Sequence, residues 1–242
     1  MIHQPRRFFP NPQLALSDGL VAMSDELSIE LLKESYSWGI FPWPHEDSPI
    51  LWFSPDPRGI LDFSEFHLSK SFKKFLRTCE WEVRWNTQFD QVIENCAFTQ
   101  RKGETGTWIT EHLMNYYKKF HRAGFAHSLE IWEQDKLIGG IYGVFVEGSF
   151  SGESMFFHKS PASKVALTVL VIELEKIGLK WMDIQMVTPN LKAFGGRYIK
   201  REMYYKRLAQ AQAQKNLLKP LSPRSASVSR IVAAWTRNNV QK

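Results

Sequence analysis

A chain of 242 residues, 43% of them hydrophobic, can supply a real core, either as one large domain or as a small domain joined to a larger one, and disorder over most of its length is excluded. No stretch approaches the ~18 consecutive apolar residues of a membrane span, and residues 1–10 lack the apolar run of a signal peptide. A cytoplasmic protein without a membrane partner is expected, and the net charge of +6 suits an anionic partner without specifying nucleic acid.

Residues 1–60 read as a small N-terminal domain with one clear helix. Ser28 is its N-cap, Leu31, Leu32 and Tyr36 share a face, and Gly39 stops it. Residues 41–44 (Phe-Pro-Trp-Pro) and 53–59 then read as irregular, since each proline removes a donor and fixes φ. A domain boundary is placed near residue 61, with residues 61–242 as the second unit. Residues 68–78 predict a basic amphipathic helix, with Lys70, Lys73, Lys74 and Arg77 around Phe72, Phe75 and Leu76; this is either a solvated face or a nucleic-acid contact. Residues 81–85 follow as a strand, and residues 89–97 and 110–123 as helices, the second capped by Thr110 and ended by Gly124. Cys79 and Cys96 stand in no metal-ligand or redox spacing, so reduced thiols are expected.

Residues 127–133, 137–146 and 149–155 predict an antiparallel meander, with turns at Gln134-Asp135 and Glu147-Gly148. Ser160-Pro161 opens a helix with serine as N-cap, apolar on most sides and ended by Gly178. In the strand at residues 181–186, Asp183 and Gln185 share one face, while Met182, Ile184 and Met186 fill the other. Asn190 caps a short helix that Gly195-Gly196 ends, and residues 201–214 form a basic helix. Residues 220–227 read as a linker, and residues 229–237 as a terminal helix or a disordered tail. The series describes an α+β fold.

Two places carry chemistry. Glu153 is a lone carboxylate among glycines and small hydroxyls, in Gly148-Ser149-Phe150-Ser151-Gly152-Glu153-Ser154-Met155, and Asp183 with Gln185 makes a polar row on an otherwise apolar strand. Carboxylates are seldom buried without partners, so such a row is either a satisfied structural network or a site that moves protons. No P-loop, zinc spacing or nucleophile elbow is present, the seven histidines form no metal pattern, and no cofactor is expected. His127 reads as a core histidine. Nine tryptophans amid basic residues suit the stacking of unpaired bases, although most belong to the core.

Eight segments, in order, resemble the leucyl/phenylalanyl-tRNA–protein transferases: Trp38-Gly39-Ile40-Phe41-Pro42-Trp43, Leu51-Trp52-Phe53-Ser54-Pro55-Asp56-Pro57-Arg58, Gly106-Thr107-Trp108-Ile109-Thr110, Ala126-His127-Ser128-Leu129-Glu130, Gly139-Gly140-Ile141-Tyr142-Gly143, Gly152-Glu153-Ser154-Met155-Phe156, Ala162-Ser163-Lys164 and Asp183-Ile184-Gln185. The resemblance spans residues 19–208 or so. It implies a small N-terminal domain packed on an acetyltransferase-like (GNAT-like) C-terminal domain that binds no acetyl-CoA. It also implies transfer of leucine or phenylalanine from charged tRNA to the N-terminal α-amine of proteins with basic N-termini, marking them for N-degron degradation. The aminoacyl-tRNA is then a co-substrate, no cofactor is needed, and a monomer is expected.

On that resemblance Asp183 and Gln185 are the catalytic pair, and Glu153 borders the pocket for the donor amino acid or the acceptor N-terminus. Ser154, Met155 and Ile184 line the substrate site, with Phe145 beside the last two as apolar wall. Trp108 stacks on the terminal adenine of tRNA, Tyr117 lies near the same end, and Trp43 and Tyr36 line the cleft. Lys70, Lys73, Lys74 and Arg77 are the candidate tRNA contacts. The chain departs from the family pattern at Ser24-Asp25-Glu26, where Gly-Gly-Asp is usual, at Asn190, where a histidine is common, and in the extension beyond about residue 216. These departures leave open arginyl transfer to acidic N-termini and a tRNA binder without transfer. A small-molecule acetyltransferase ranks last, because Phe157-His158-Lys159-Ser160-Pro161 stands where a pyrophosphate-cradling turn is needed.

Overall fold

The computed structural model describes residues 8–43, 49–99, 108–214 and 224–239. A first strand, β1 (Leu20–Ser24), leads to α1 (Ile29–Ser37), where the Ser28 hydroxyl accepts the Leu31 amide and Gly39, at φ +65°, ends the helix as expected. Then come β2 (Phe41–Trp43) and β3 (Ile50–Phe53), which with β1 form an antiparallel sheet in the order β1-β3-β2. Pro42 therefore sits in a strand, contrary to the irregular reading of residues 41–44. β2 is an edge paired to β3 alone, and an edge strand tolerates a missing donor on its outer side.

The second sheet starts at once with β4 (Arg58–Asp62), so Arg58 and Gly59 are also sheet residues and not part of an irregular segment. The change of sheet falls at residues 54–57, and the boundary expected near residue 61 lies within β4. Next along the chain are α2 (Lys70–Arg77), β5 (Glu82–Trp85), α3 (Phe89–Phe98), α4 (Glu111–Arg122) and the meander β6 (Ala126–Glu133), β7 (Lys136–Val146) and β8 (Ser149–Phe157). Then follow α5 (Ala162–Lys176), β9 (Trp181–Gln185), α6 (Pro189–Ala193), β10 (Arg197–Ile199), α7 (Arg201–Ala213), β11 (Arg224–Ser227) and α8 (Val228–Asn239). Eight strands form a mixed sheet in the order β10-β4-β9-β8-β7-β6-β5-β11.

Every neighbour in that sheet is antiparallel except β8 and β9, which run parallel with Ser151 opposite Asp183. Parallel neighbours need a crossover, and α5 supplies it. Ile141 and Tyr142, successive residues of β7, fall in two different core clusters, one for each face of the sheet. The first cluster gathers α5 with residues of α2 and α8; the second gathers α1, α3 and α4 with the small sheet.

Four local expectations are corrected. Pro161, not Ser160, occupies the N-cap position of α5. Thr188, whose hydroxyl accepts the Leu191 amide, caps α6, and Asn190 lies inside that helix. Residues 224–227 are a strand on β5, not a linker, and Val228, Ile231 and Val232 of α8 are core residues, so this part of the extension covers a sheet edge and adds to the core. Met186 stands beyond the end of β9 and is 46% exposed, filling no face of it. Residues 220–223 lie outside the described residues. Both cysteines are buried and neither is in a disulfide. Among the described residues no helix is long and apolar enough to cross a membrane.

Candidate active site

Two neighbouring strands are irregular at the same level. Opposite β4, Ile60 pairs with Asp183 and Gly59 with Gln185, leaving Ile184 as an extra residue in β9. Opposite β7, Tyr142 pairs with Ser154 and Gly143 with Gly152, leaving Glu153 extra in β8. Bulges of this kind re-aim side chains. Gln185 is accordingly left-handed at φ +52°, with its amide donating to Asp183 Oδ1 at 2.9 Å. A Cβ on Gly59 would come within 3.0 Å of the Gln185 backbone, so the close approach requires glycine.

Asp183 is fully buried, and four donors reach its carboxylate. Arg58 binds both oxygens, Nε to Oδ1 at 2.9 Å and Nη2 to Oδ2 at 2.6 Å, Gln185 N reaches Oδ1, and Tyr204 Oη donates to Oδ2 at 2.9 Å. The guanidinium lies between the rings of Phe41 and Tyr204, 4.7 and 4.6 Å from their centroids. Burial alone would lower the pKa of Arg58, but the Asp183 carboxylate outweighs it and raises the value, keeping the guanidinium charged. Asp183 thus ties together β4, β9, the small sheet through Phe41, and α7.

The Gln185 side chain turns the other way, and its Nε2 donates to Glu153 Oε1 at 3.0 Å. Tyr117 of α4 donates to Glu153 Oε2 at 3.3 Å and shares a short hydrogen bond with Tyr36 of α1. Glu153 is half-buried, and burial pushes its carboxyl up to about 8, with Asp183 adding to the rise and the hydrogen bonds from Tyr36 and Tyr117 and the Arg58 charge opposing it. Burial likewise raises both tyrosines well above their ordinary value, so they are donors at neutral pH. Trp43 and Trp108, both half-buried, stack at 5.5 Å and 15° beside this group.

The structure therefore joins Asp183, Gln185, Glu153, Tyr117 and Tyr36 by direct hydrogen bonds, with Trp43 and Trp108 in the same core cluster as the two tyrosines. Met155, Phe145 and Ile184 pack with the other cluster, the one containing α5, while Ser154 is buried opposite Tyr142. Lys70, Lys73, Lys74 and Arg77 are exposed on α2, with no ion pair to another described residue. His127 is a buried strand residue beside Asn86 Nδ2 at 3.1 Å. Among the described residues no cluster of three or more histidine, cysteine, aspartate or glutamate side chains could hold a metal.

Arg58 and Tyr204 were missed as site residues by the sequence reading. A buried carboxylate needs a cation, and Arg58 stands at the threshold of an apolar strand. Tyr204, Leu208 and Ala211 fall at helical spacing on the buried side of α7.

The sequence profile described as "Leucyl/phenylalanyl-tRNA protein transferase" matches residues 60–209, and that of the "N-terminal domain" of the same family matches residues 25–56. The chain belongs to the leucyl/phenylalanyl-tRNA protein transferase family. It is 40% identical over 234 residues to the leucyl/phenylalanyl-tRNA–protein transferase of Shewanella baltica, covering 96% of this chain and 92% of that one. Identity is 44% to the protein of that name from an Anaeromyxobacter species, over 86% of this chain and 90% of its length, and 45% to that of Desulfatibacillum aliphaticivorans, over 84% and 87%. The family resemblance read from eight sequence segments is borne out. Among solved structures, the C-terminal domain of a putative lysylphosphatidylglycerol synthetase from Agrobacterium fabrum superposes with a TM-score of 0.37 at 11% identity, covering 90% of this chain and 72% of that one, too loosely to bear on the fold.

Proposed function

We propose that the protein transfers leucine or phenylalanine from charged tRNA to the N-terminal α-amine of acceptor proteins. Family membership carries this reading, and the hydrogen-bonded group of Asp183, Gln185, Glu153, Tyr117 and Tyr36 supports it. An aminoacyl ester is already activated, so the reaction needs a neutral amine, a positioned carbonyl and a place for charge and proton to go. Asp183 fixes the left-handed Gln185, and the Gln185 amide meets the acceptor amine. No cofactor is assigned. The parallel pair β8–β9, joined by α5 after an antiparallel meander, supports an acetyltransferase-like larger domain.

Trp108 and Trp43 offer aromatic faces to the terminal adenine, and the exposed basic face of α2 offers a path for the tRNA backbone. Basic N-termini as acceptors, a role in N-degron degradation, a cytoplasmic setting and a monomeric state belong to the same proposal. An apolar donor pocket rejects arginine unless a carboxylate is poised for its guanidinium. Offering Leu-, Phe- and Arg-tRNA separately, with peptides beginning in Arg, Lys, Asp or Glu, tests the reading. Transfer of Leu or Phe to Arg or Lys is expected, and transfer of arginine alone to Asp or Glu overturns the specificity.

A further inference from the structure

Asp183 is fully occupied by its neighbours. Both of its oxygens are engaged, by Arg58 Nε and Nη2, Gln185 N and Tyr204 Oη, and the side chain is fully buried. Its oxygens are spent on holding Arg58, Tyr204 and the Gln185 backbone in place. A glutamine amide is no base. Glu153 differs: it is half-buried, it touches Gln185 directly, and the tyrosines beside it, Tyr117 and Tyr36, are neutral hydroxyls. It protrudes at a bulge, on the same side of the sheet as Tyr36, Tyr117 and the stacked tryptophans.

We propose that Glu153, not Asp183, takes the proton from the N-terminal ammonium of the acceptor. The inference rests on the transferase reading above and adds the proton's destination. The ammonium gives one proton to a Glu153 carboxylate oxygen and becomes a neutral amine. Its lone pair forms the C–N bond to the ester carbonyl carbon, and the C–O bond to the tRNA ribose breaks. The second N–H proton goes to the departing ribose oxygen, and Glu153 returns its own proton to water. The Gln185 Oε1 atom accepts an N–H of the amine, while its Nε2 holds the carboxylate in place. Groups facing Glu153 are Tyr36 of α1, Tyr117 of α4, Asp183 and Gln185 of β9, and Arg58 of β4. Burial pushes the Glu153 carboxyl up to about 8, so the ionised form that acts as the base is a fraction at pH 7 and grows as pH rises toward that value.

The test compares two acceptor peptides, one with an ordinary N-terminal amine and one whose N-terminus carries a weakly basic aminooxy group, neutral at pH 7. Glu153→Gln should lower kcat with the ordinary peptide by ~10²-fold or more, with KM little changed, and leave kcat with the aminooxy peptide within about threefold. Glu153→Asp keeps a carboxylate and should hold the ordinary reaction within about tenfold of the parent, which guards against a folding defect in the first variant. Equal losses with both peptides, or no loss with the ordinary one, overturn the proposal while leaving the transferase reading intact. Failure of the unaltered protein to use either peptide overturns the transferase reading, and the proposal with it.

Discussion

Arg58 and Asp183 meet through two parallel hydrogen bonds at a place where their side chains are 2% and 0% exposed. The pair is therefore a cross-tie between β4 and β9 as well as the anchor of the Gln185 amide. Removing one partner of a buried pair leaves the other charged and uncompensated, which costs about 3–5 kcal/mol. Arg58→Met should lower the unfolding free energy by about that amount in urea titrations, with loss of activity exceeding the loss of folded protein. Tyr204→Phe deletes one hydrogen bond to the charged group and should cost about 1.5–3 kcal/mol. A Tyr204→Phe variant more damaged than Arg58→Met would show that the ring packing of α7, not the ion pair, holds the tie.

The pH dependence of stability has two opposing parts. Glu153 is raised from 4.5 to about 8, so between those values the folded chain holds a proton the unfolded chain has lost, and stability falls as pH rises through the window. His127 is lowered from 6.5 to about 4 by burial, so between those values the unfolded chain binds a proton the folded one does not, and stability falls as pH drops. The two oppose each other where the windows overlap. From about 6.5 to about 8 Glu153 acts alone, and urea midpoints should decline across that range in the parent but stay level in Glu153→Gln. A decline of equal size in both proteins would assign it to another group.

Much of this fold was legible because local rules and tertiary packing agree. The Ser28 and Thr110 caps, the meander and the buried crossover helix follow from patterns that the core reinforces. Residues 41–43 and 224–227 were misread for a shared reason: both are short edge strands, whose pairing is decided by a distant partner and not by their own composition. The polar residues of the site were visible as misfits on apolar strands. Their geometry was not, since the alternation that placed Asp183 and Gln185 on one face fails at the Ile184 bulge, and Gln185 adopts a left-handed φ. Arg58 stayed hidden because its partner is 125 residues away.

The basic face of α2 yields a salt prediction. Lys70, Lys73, Lys74 and Arg77 are all exposed, while Leu76 is buried and Phe72 and Phe75 pack against the core, so the charges can change without disturbing packing. Each phosphate neutralised releases counterions, making affinity for tRNA fall with salt. Replacing Lys73, Lys74 and Arg77 by Ala should flatten the plot of log affinity against log salt by roughly one unit for each lost contact, measured with charged tRNA. An unchanged slope with unchanged thermal stability would make α2 a solvated face and shift attention to the basic residues nearer the C-terminus.

The stacked pair Trp43 and Trp108 supports the last prediction. Trp43 ends β2 of the small sheet and Trp108 precedes α4, so their contact, at 5.5 Å and 15°, links two parts of the chain and holds the Trp108 ring in one plane. A base that stacks on that ring gains on the order of 1–3 kcal/mol, and a ring fixed beforehand loses less freedom on binding. Trp108→Ala should weaken binding of puromycin, a mimic of the charged 3′ end, by about that amount, and Trp108→Phe should weaken it less. Trp43→Ala should weaken it too, by loosening Trp108, and the double variant should lose less than the two single losses combined, because both act through one stacked unit. Full additivity of the two losses would mean that each tryptophan meets the ligand independently. Loss of thermal stability without loss of puromycin affinity would make the pair a core contact.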